Sequence, residues 1–464
     1  MKNVRLSSSN LTVSIARLGA PMLVGLLAAV GNPVVDTLMV ARYSAIDLAS
    51  LAVGASLYVC IFVALMGVMQ SLMPTFGQMY GAGQFAAMGD MAKQGIWLAL
   101  CLSLLGASLL FFPAPLSRLA KTPLALRENT TLYLRILAFS LPASLLFLVY
   151  GTLNNAMARP HMVMALQVGV LMLKIPLNWM FIFGYLNIPA LGGAGCALAT
   201  CLLAWLSVVT GWLILRWNPF YRFLHLFDTG MALPDTKKLG ELLKLGLPLG
   251  INSFIEVTSF NFMALFIARI GIEAVAAHQI VANIAIVLYM LPLTAGSATS
   301  TLVAQSIGAR QLLLARRIAF SGRRLAACIA VLMACLTWFA REELIALYTH
   351  DPRIADNALP LIVFVCSYQF FYAIQITSAY VLRAYKVVLA PTLLYLSILW
   401  GIGLGGGYIL AFDVLNLMPP ASITRAGGFW FSYTVGVSLL AISLTILIVG
   451  VQRRAERLAG VGET

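Results

Sequence analysis

Apolar runs of about 20 residues recur along the whole chain, and each is long enough for a helix to cross a bilayer core about 30 Å thick. Lipid offers no partner to a free N–H or C=O, so only helices or the strands of a closed barrel can span it. Barrel strands are about half this length, which leaves helices. We count roughly twelve runs, at about 13–38, 48–73, 95–113, 131–155, 161–184, 192–215, 242–268, 277–303, 319–339, 358–382, 392–412 and 428–450. No intervening segment could hold a soluble domain. The first run is too long for a signal peptide and lacks a small-residue cleavage site, so it is expected to be the first spanning helix. The fold class is therefore an all-α membrane protein.

The net charge of +14 would suit a nucleic-acid binder, but topology accounts for it better. Of the 30 Lys and Arg residues, twenty fall in segments on one side of the twelve runs and nine on the other; the last, Lys174, lies inside a run. Basic loops stay on the cytoplasmic side, so both termini are expected there. The seven Cys are scattered through apolar segments with no metal-ligand spacing, and are expected to be small buried hydrophobes. None of the four His has a metal-like partner in sequence.

The chain also repeats itself. Leu18-Gly19-x-Pro21 returns as Leu245-Gly246-x-Pro248, an offset of 227 (245 minus 18). At the same offset Ala41-Arg42 returns as Ala268-Arg269, and Gln78-x-x-Gly81-Ala82 as Gln305-x-x-Gly308-Ala309. Matches of Gly, Pro, Arg and Gln in one register are hard to obtain from apolar bias alone. Six spans per half keep both halves in the same orientation, giving a parallel pseudo-two-fold repeat with a substrate site expected between the halves. The expected domains are a six-helix lobe at 1–215, a cytoplasmic linker at 216–241 and a second six-helix lobe at 242–464.

Two of the 16 acidic residues lie inside apolar runs: Asp36 in LLAAVGNPVVDTLMVA and Glu256 in GLPLGINSFIEVTSFNFMALFIA. A charge at the centre of a span costs about 3 kcal/mol on insertion scales, so an acid there marks a functional site by default. Glu256 lies 12 residues past Lys244, roughly 18 Å along a helix and near the midplane. Asp36 lies 19 residues past Arg17, roughly 28 Å along and in the outer half. Such acids suit a machine that handles protons, cations or cationic solutes.

These residues resemble the multidrug and toxic compound extrusion (MATE) family, in its NorM-like branch. The resemblance covers nearly the whole chain. It is carried by VDTLM (35–39), QMYGAG (78–83), PLNWMFIFG (176–184), IPALGGAGCALAT (188–200), FIEVTSF (254–260), AAHQI (276–280), LYMLP (288–292) and LRAYK (382–386). It implies twelve helices in two bundles and a secondary-active antiporter exporting organic cations or polyaromatic compounds in exchange for H⁺ or Na⁺. It also implies residue roles. Asp36 matches the acid of the first helix, and Asn178 and Thr200 match polar positions of a first-half ion site. Glu256 matches the seventh-helix acid, and Tyr289 an aromatic near the second-half cation site. No cofactor beyond the coupling ion is expected, and Glu256 is the one place offered to Na⁺. The implied setting is a bacterial inner membrane, and the expected state is a monomer with small-molecule and lipid partners and no nucleic acid.

The departures from the family pattern are as telling. NorM-like members carry Asp in the tenth helix within Q-x-x-D-x-x-Q; here Gln369 to Gln375 enclose Tyr372 instead. Without that second carboxylate the site suits a proton better than Na⁺. Tyr372 and Gln375 are then candidates for the substrate cavity. Lys174 stands where relatives usually carry Asn, one turn from Asn178. It can pair with Asp36, pair elsewhere, or snorkel to an interface. Ala29 stands where Gln is frequent. Pro21 and Pro33 interrupt the first run and permit either a moving or a fixed kink. GLGGG at 403–407 lacks the Lys-Ser/Thr of a phosphate loop and reads as close helix packing. The alternatives are a flippase for lipid-linked oligosaccharide, to which Lys174 lends some support, and a polytopic intramembrane enzyme. For the latter no acid, base and nucleophile cluster at one level.

Overall fold

The structure is a computed structural model that describes residues 11–115, 123–185, 189–228, 230, 232–415 and 425–459. Lys2, Arg5, Arg118 and Lys121 of the charge count, and Ile188 of the IPALGG motif, lie outside the described residues. Among the described residues, twelve helices are long and apolar enough to cross a membrane. They are α1 (Leu11–Ala41), α2 (Ala45–Gly81), α3 (Phe85–Phe111), α4 (Leu126–Ala156), α5 (Pro160–Phe183) and α6 (Gly192–Trp217). The second set is α7 (Thr236–Ile267), α8 (Ile272–Gly308), α9 (Leu312–Phe339), α10 (Pro352–Ala384), α11 (Leu389–Ala411) and α12 (Arg425–Leu458). Large apolar side chains face outward on many of them, Leu104, Met172 and Ile446 among them, as lipid-facing surfaces require. The chain is a multi-pass membrane protein. The cysteines correct one expectation. Only Cys196 is fully buried, while Cys60, Cys101, Cys328 and Cys335 are exposed, because a small apolar side chain is as much at home in lipid as in a core.

The helices form two compact units, one of residues 21–250 and one of residues 1–20 with 251–464. The boundaries fall inside α1 and α7, next to Pro21 and two residues past Pro248. Each proline removes one backbone hydrogen bond and lets its helix change course. The start of α7 thus packs with the first-half helices. A Cβ added to Gly246 would lie 2.5 Å from the Val68 carbonyl oxygen, and one on Gly250 3.0 Å from that of Ala64. The start of α1 packs on α8 in the same manner, with Gly19 against Thr294 and Ala298.

In the unit of residues 21–250, α4 is central and packs against α2, α3 and α6. Its Leu134, Leu137, Leu141 and Leu145 join Leu72, Phe76 and Met88 in one buried cluster. The segment between α6 and α7 is fastened to this unit. Gln94 Nε2 donates to the Leu233 carbonyl at 3.0 Å, Trp97 Nε1 donates to Ala232 at 2.8 Å, and the Asp235 N–H donates to Gln94 Oε1 at 2.8 Å. The Arg159 guanidinium lies 3.2 Å from the centroid of the Phe220 ring in the same segment.

In the other unit, α8 packs on α9 and α10, and α10 on α12. Small residues permit this. A Cβ on Gly322 would lie 2.1 Å from Thr299 Oγ1, and one on Gly296 3.3 Å from the Thr377 Cα. Within α11, Leu396–Gly406 is π-helical. The wider turn spoils the regular ladder, and Ser432 Oγ on α12 donates to the Ile402 carbonyl at 2.6 Å. Three of the four glycines of GLGGG line this seam. Gly403 meets Tyr433, Gly406 meets the Ser432 hydroxyl, and Gly407 meets Phe429. The motif is a helix-packing seam.

Candidate functional site

The first-half site forms where α1 lies close to α5. Glycine makes the approach possible: a Cβ on Gly25 would lie 3.4 Å from the Met164 Cα, and one on Gly31 3.1 Å from Leu171 Cδ2. Five residues beyond Gly31, Asp36 meets a set of partners on α5 and α6. Lys174 Nζ lies 3.0 Å from Asp36 Oδ1. Asn178 Nδ2 donates to the same oxygen at 2.7 Å. Lys174 also donates to Thr200 Oγ1, whose hydroxyl donates to the Cys196 carbonyl at 2.9 Å. Asp36 is 8% exposed and Lys174 1%, so this is a buried ion pair and not a snorkelling lysine. A buried ammonium is tolerable only when paired and hydrogen-bonded, and both conditions hold. Asn178 Oδ1 is buried without a hydrogen-bond partner among the described residues. Pro176, inside α5, lies between Lys174 and Asn178.

The second-half site is built on α7, α8 and α10. Tyr372 Oη donates to Glu256 Oε1 at 3.1 Å. The phenol thus sits where the resemblance implies a carboxylate, and it engages the remaining acid. Tyr289 stacks edge-on against Tyr372 with ring centroids 5.5 Å apart, and the Tyr368 ring lies 5.3 Å from that of Tyr372. The Arg383 guanidinium lies near Glu256 and 4.5 Å from the centroid of Tyr380. Gln375 donates to the Tyr395 hydroxyl. Tyr372 and Gln375, the two cavity candidates, are almost wholly buried, one against Glu256 and the other against Tyr395.

Asp36, Lys174, Asn178 and Thr200 therefore come together in one unit, and Glu256, Tyr289 and Tyr372 in the other. Sequence reasoning missed several of their neighbours. Cys196 and Tyr133 lie near Asp36, while Tyr368, Tyr395 and Arg383 lie near Glu256. Cys196 lies one turn before Thr200, a spacing that could have drawn attention to it.

Comparison with known proteins decides the family. The MatE family profile matches residues 21–180 and 248–409, one stretch in each half. The chain belongs to the MatE family. Among similar proteins, a probable multidrug resistance protein NorM of Aromatoleum aromaticum is 39% identical over 94% of this chain and 93% of its own. The multidrug resistance protein PmpM of Pseudomonas aeruginosa is 33% identical over 95% and 91%. The fold matches the crystal structure of the Vibrio cholerae MATE transporter VcmN in the bent form, with TM-score 0.86, 16% identity, and coverage of 97% and 98%. It also matches the eukaryotic MATE transporter AtDTX14, with TM-score 0.85, 19% identity, and coverage of 97% and 99%. MatE proteins are transporters, so the intramembrane-enzyme alternative falls away. The flippase alternative loses its foothold in this MatE chain too, because the Lys174 charge is taken up by Asp36.

Proposed function

We propose that this chain is a multidrug exporter that moves cationic or polyaromatic compounds outward in exchange for protons. The export reading is supported by full-length similarity to proteins named for multidrug resistance. The choice of proton rests on one observation, the Tyr372 hydroxyl donating to Glu256 at 3.1 Å. A desolvated Na⁺ needs several hard oxygen ligands with enough negative charge to replace its hydration. This site presents a single carboxylate, already hydrogen-bonded to a phenol. A proton needs only that carboxylate, and the phenol can donate to the charged acid or accept from the neutral one.

Export follows alternating access. A ligand shifts the equilibrium between two conformations only through its different affinity for each. An acid that holds either a proton or an organic cation supplies that difference. Both termini lie in the cytoplasm on this reading, in keeping with the twenty-to-nine charge asymmetry. The protein acts as a monomer surrounded by lipid.

The test is dye efflux from proteoliposomes under separately imposed gradients. A pH gradient is expected to drive efflux with no Na⁺ present. Efflux driven by Na⁺ alone would overturn the choice of ion, and efflux under neither gradient would overturn the export reading.

A further inference from the structure

We propose that the proton exchanged at the first-half site is carried by Lys174: an organic cation arriving at Asp36 displaces the lysine, which withdraws as the neutral amine. This inference rests on the proton-coupled export proposed above and names the group that does the work in the first half.

Asp36 already has a resident cation, since Lys174 Nζ lies 3.0 Å from Oδ1 in a buried setting. An incoming organic cation must therefore compete with a tethered ammonium and not with water. Two positive charges cannot share one buried carboxylate, because an unpaired ammonium there costs several kcal/mol. Lysine can escape that penalty by giving up its proton, which arginine does not do. The displaced amine has neutral hydrogen-bond partners within reach. Its Thr200 contact already exists, and Asn178 Oδ1, one turn along the same helix, is a buried acceptor with no partner among the described residues.

The exchange balances. An organic cation plus the pair of Asp36 carboxylate and Lys174 ammonium gives the pair of Asp36 carboxylate and organic cation, a neutral Lys174 amine and one free proton. No covalent bond other than N–H is broken, and the charge of the site is unchanged. Run backwards, a proton taken up on the far side restores the ammonium, which reclaims Asp36 and expels the drug. Placing the proton on Asp36 instead would strand the ammonium without a counter-ion. The titratable groups that face the pair from neighbouring helices are Cys196 on α6 and Tyr133 on α4, with Tyr58 on α2 next to Tyr133. Thiols and phenols are proton-bearing near neutrality and supply no competing charge.

The test uses the purified full-length protein in weakly buffered detergent with a pH-indicator dye, titrated with tetraphenylphosphonium or ethidium. Glu256→Gln serves as the background, so that any release from the second half is removed. In that background one proton is expected per cation bound, and Kd should tighten roughly tenfold for each unit rise in pH wherever one proton is released per cation. Adding Lys174→Met leaves Asp36 without its buried counter-ion, so that the acid itself takes up the proton and the variant serves only as a control for release from Asp36. Adding Lys174→Arg should keep the competitor permanently charged and weaken binding at every pH. Proton release that persists with Lys174→Arg, or cation binding by Glu256→Gln without release, overturns this inference alone. Failure of the wild type to bind either cation overturns the export reading beneath it.

Discussion

At the residue scale, the two sites differ in how they hold their acids, and different substitutions should expose this. Asp36 is gripped by Lys174 and Asn178, so Asp36→Asn removes the counter-ion from a buried ammonium. We expect export to fall at least tenfold while the protein remains in the membrane; resistance assays paired with immunoblots check this. Glu256 is held by Tyr372, so Tyr372→Asp restores a second carboxylate. We expect transport by that variant to gain a dependence on Na⁺, measured as efflux at fixed pH with and without NaCl. Asp36, Glu256 and Lys174 were legible in the sequence because a charge inside an apolar run is conspicuous. Cys196, Tyr133 and Arg383 were not, since their importance lies in contacts between distant helices, and neither hydropathy nor periodicity encodes those.

At the scale of the element, glycine sets the distances on which the sites depend. Gly31 lets α1 approach Leu171 on α5, so Gly31→Ile should push the helices apart and loosen the Lys174–Asp36 pair. Overpacking of this kind costs about 1–3 kcal/mol, which a lower melting temperature in detergent would report. Gly246 and Gly240 form a sharper contrast on α7. A Cβ at Gly246 meets the Val68 carbonyl within 2.5 Å, whereas at Gly240 it meets nothing within 4 Å. Gly246→Leu should therefore yield little monodisperse protein in size-exclusion chromatography, and Gly240→Leu should behave like wild type. The spans themselves were legible because lipid imposes one rule on every residue. The π-helical turn of α11 was not, because hydropathy carries no information about which carbonyl a backbone N–H reaches. Its glycines nevertheless marked the seam with α12.

At the scale of the molecule, the repeat predicted two equivalent halves, and the contacts divide the chain at points displaced from the connector between them. The first turns of α1 pack with the second-half helices, and those of α7 with the first-half helices. The exchange obeys the repeat: Gly19 sits on Thr294 and Gly246 on Val68, and subtracting 227 from 294 gives 67, one residue from 68. Sequence could not reveal this, because both destinations are equally apolar small-residue surfaces. Residues 1–228 and 232–464, expressed as separate polypeptides in one cell, should therefore co-purify, and each alone should be degraded; affinity pull-down and pulse-chase measure both. The crossed ends also bear on origin. A half-length ancestor would have had an amino-terminal stub that no surface of its own accommodated, and a second copy would have housed it by mutual exchange. Fusing two such genes would then have turned a swapped dimer into a single chain, with the old interface surviving as a matched pair of glycines.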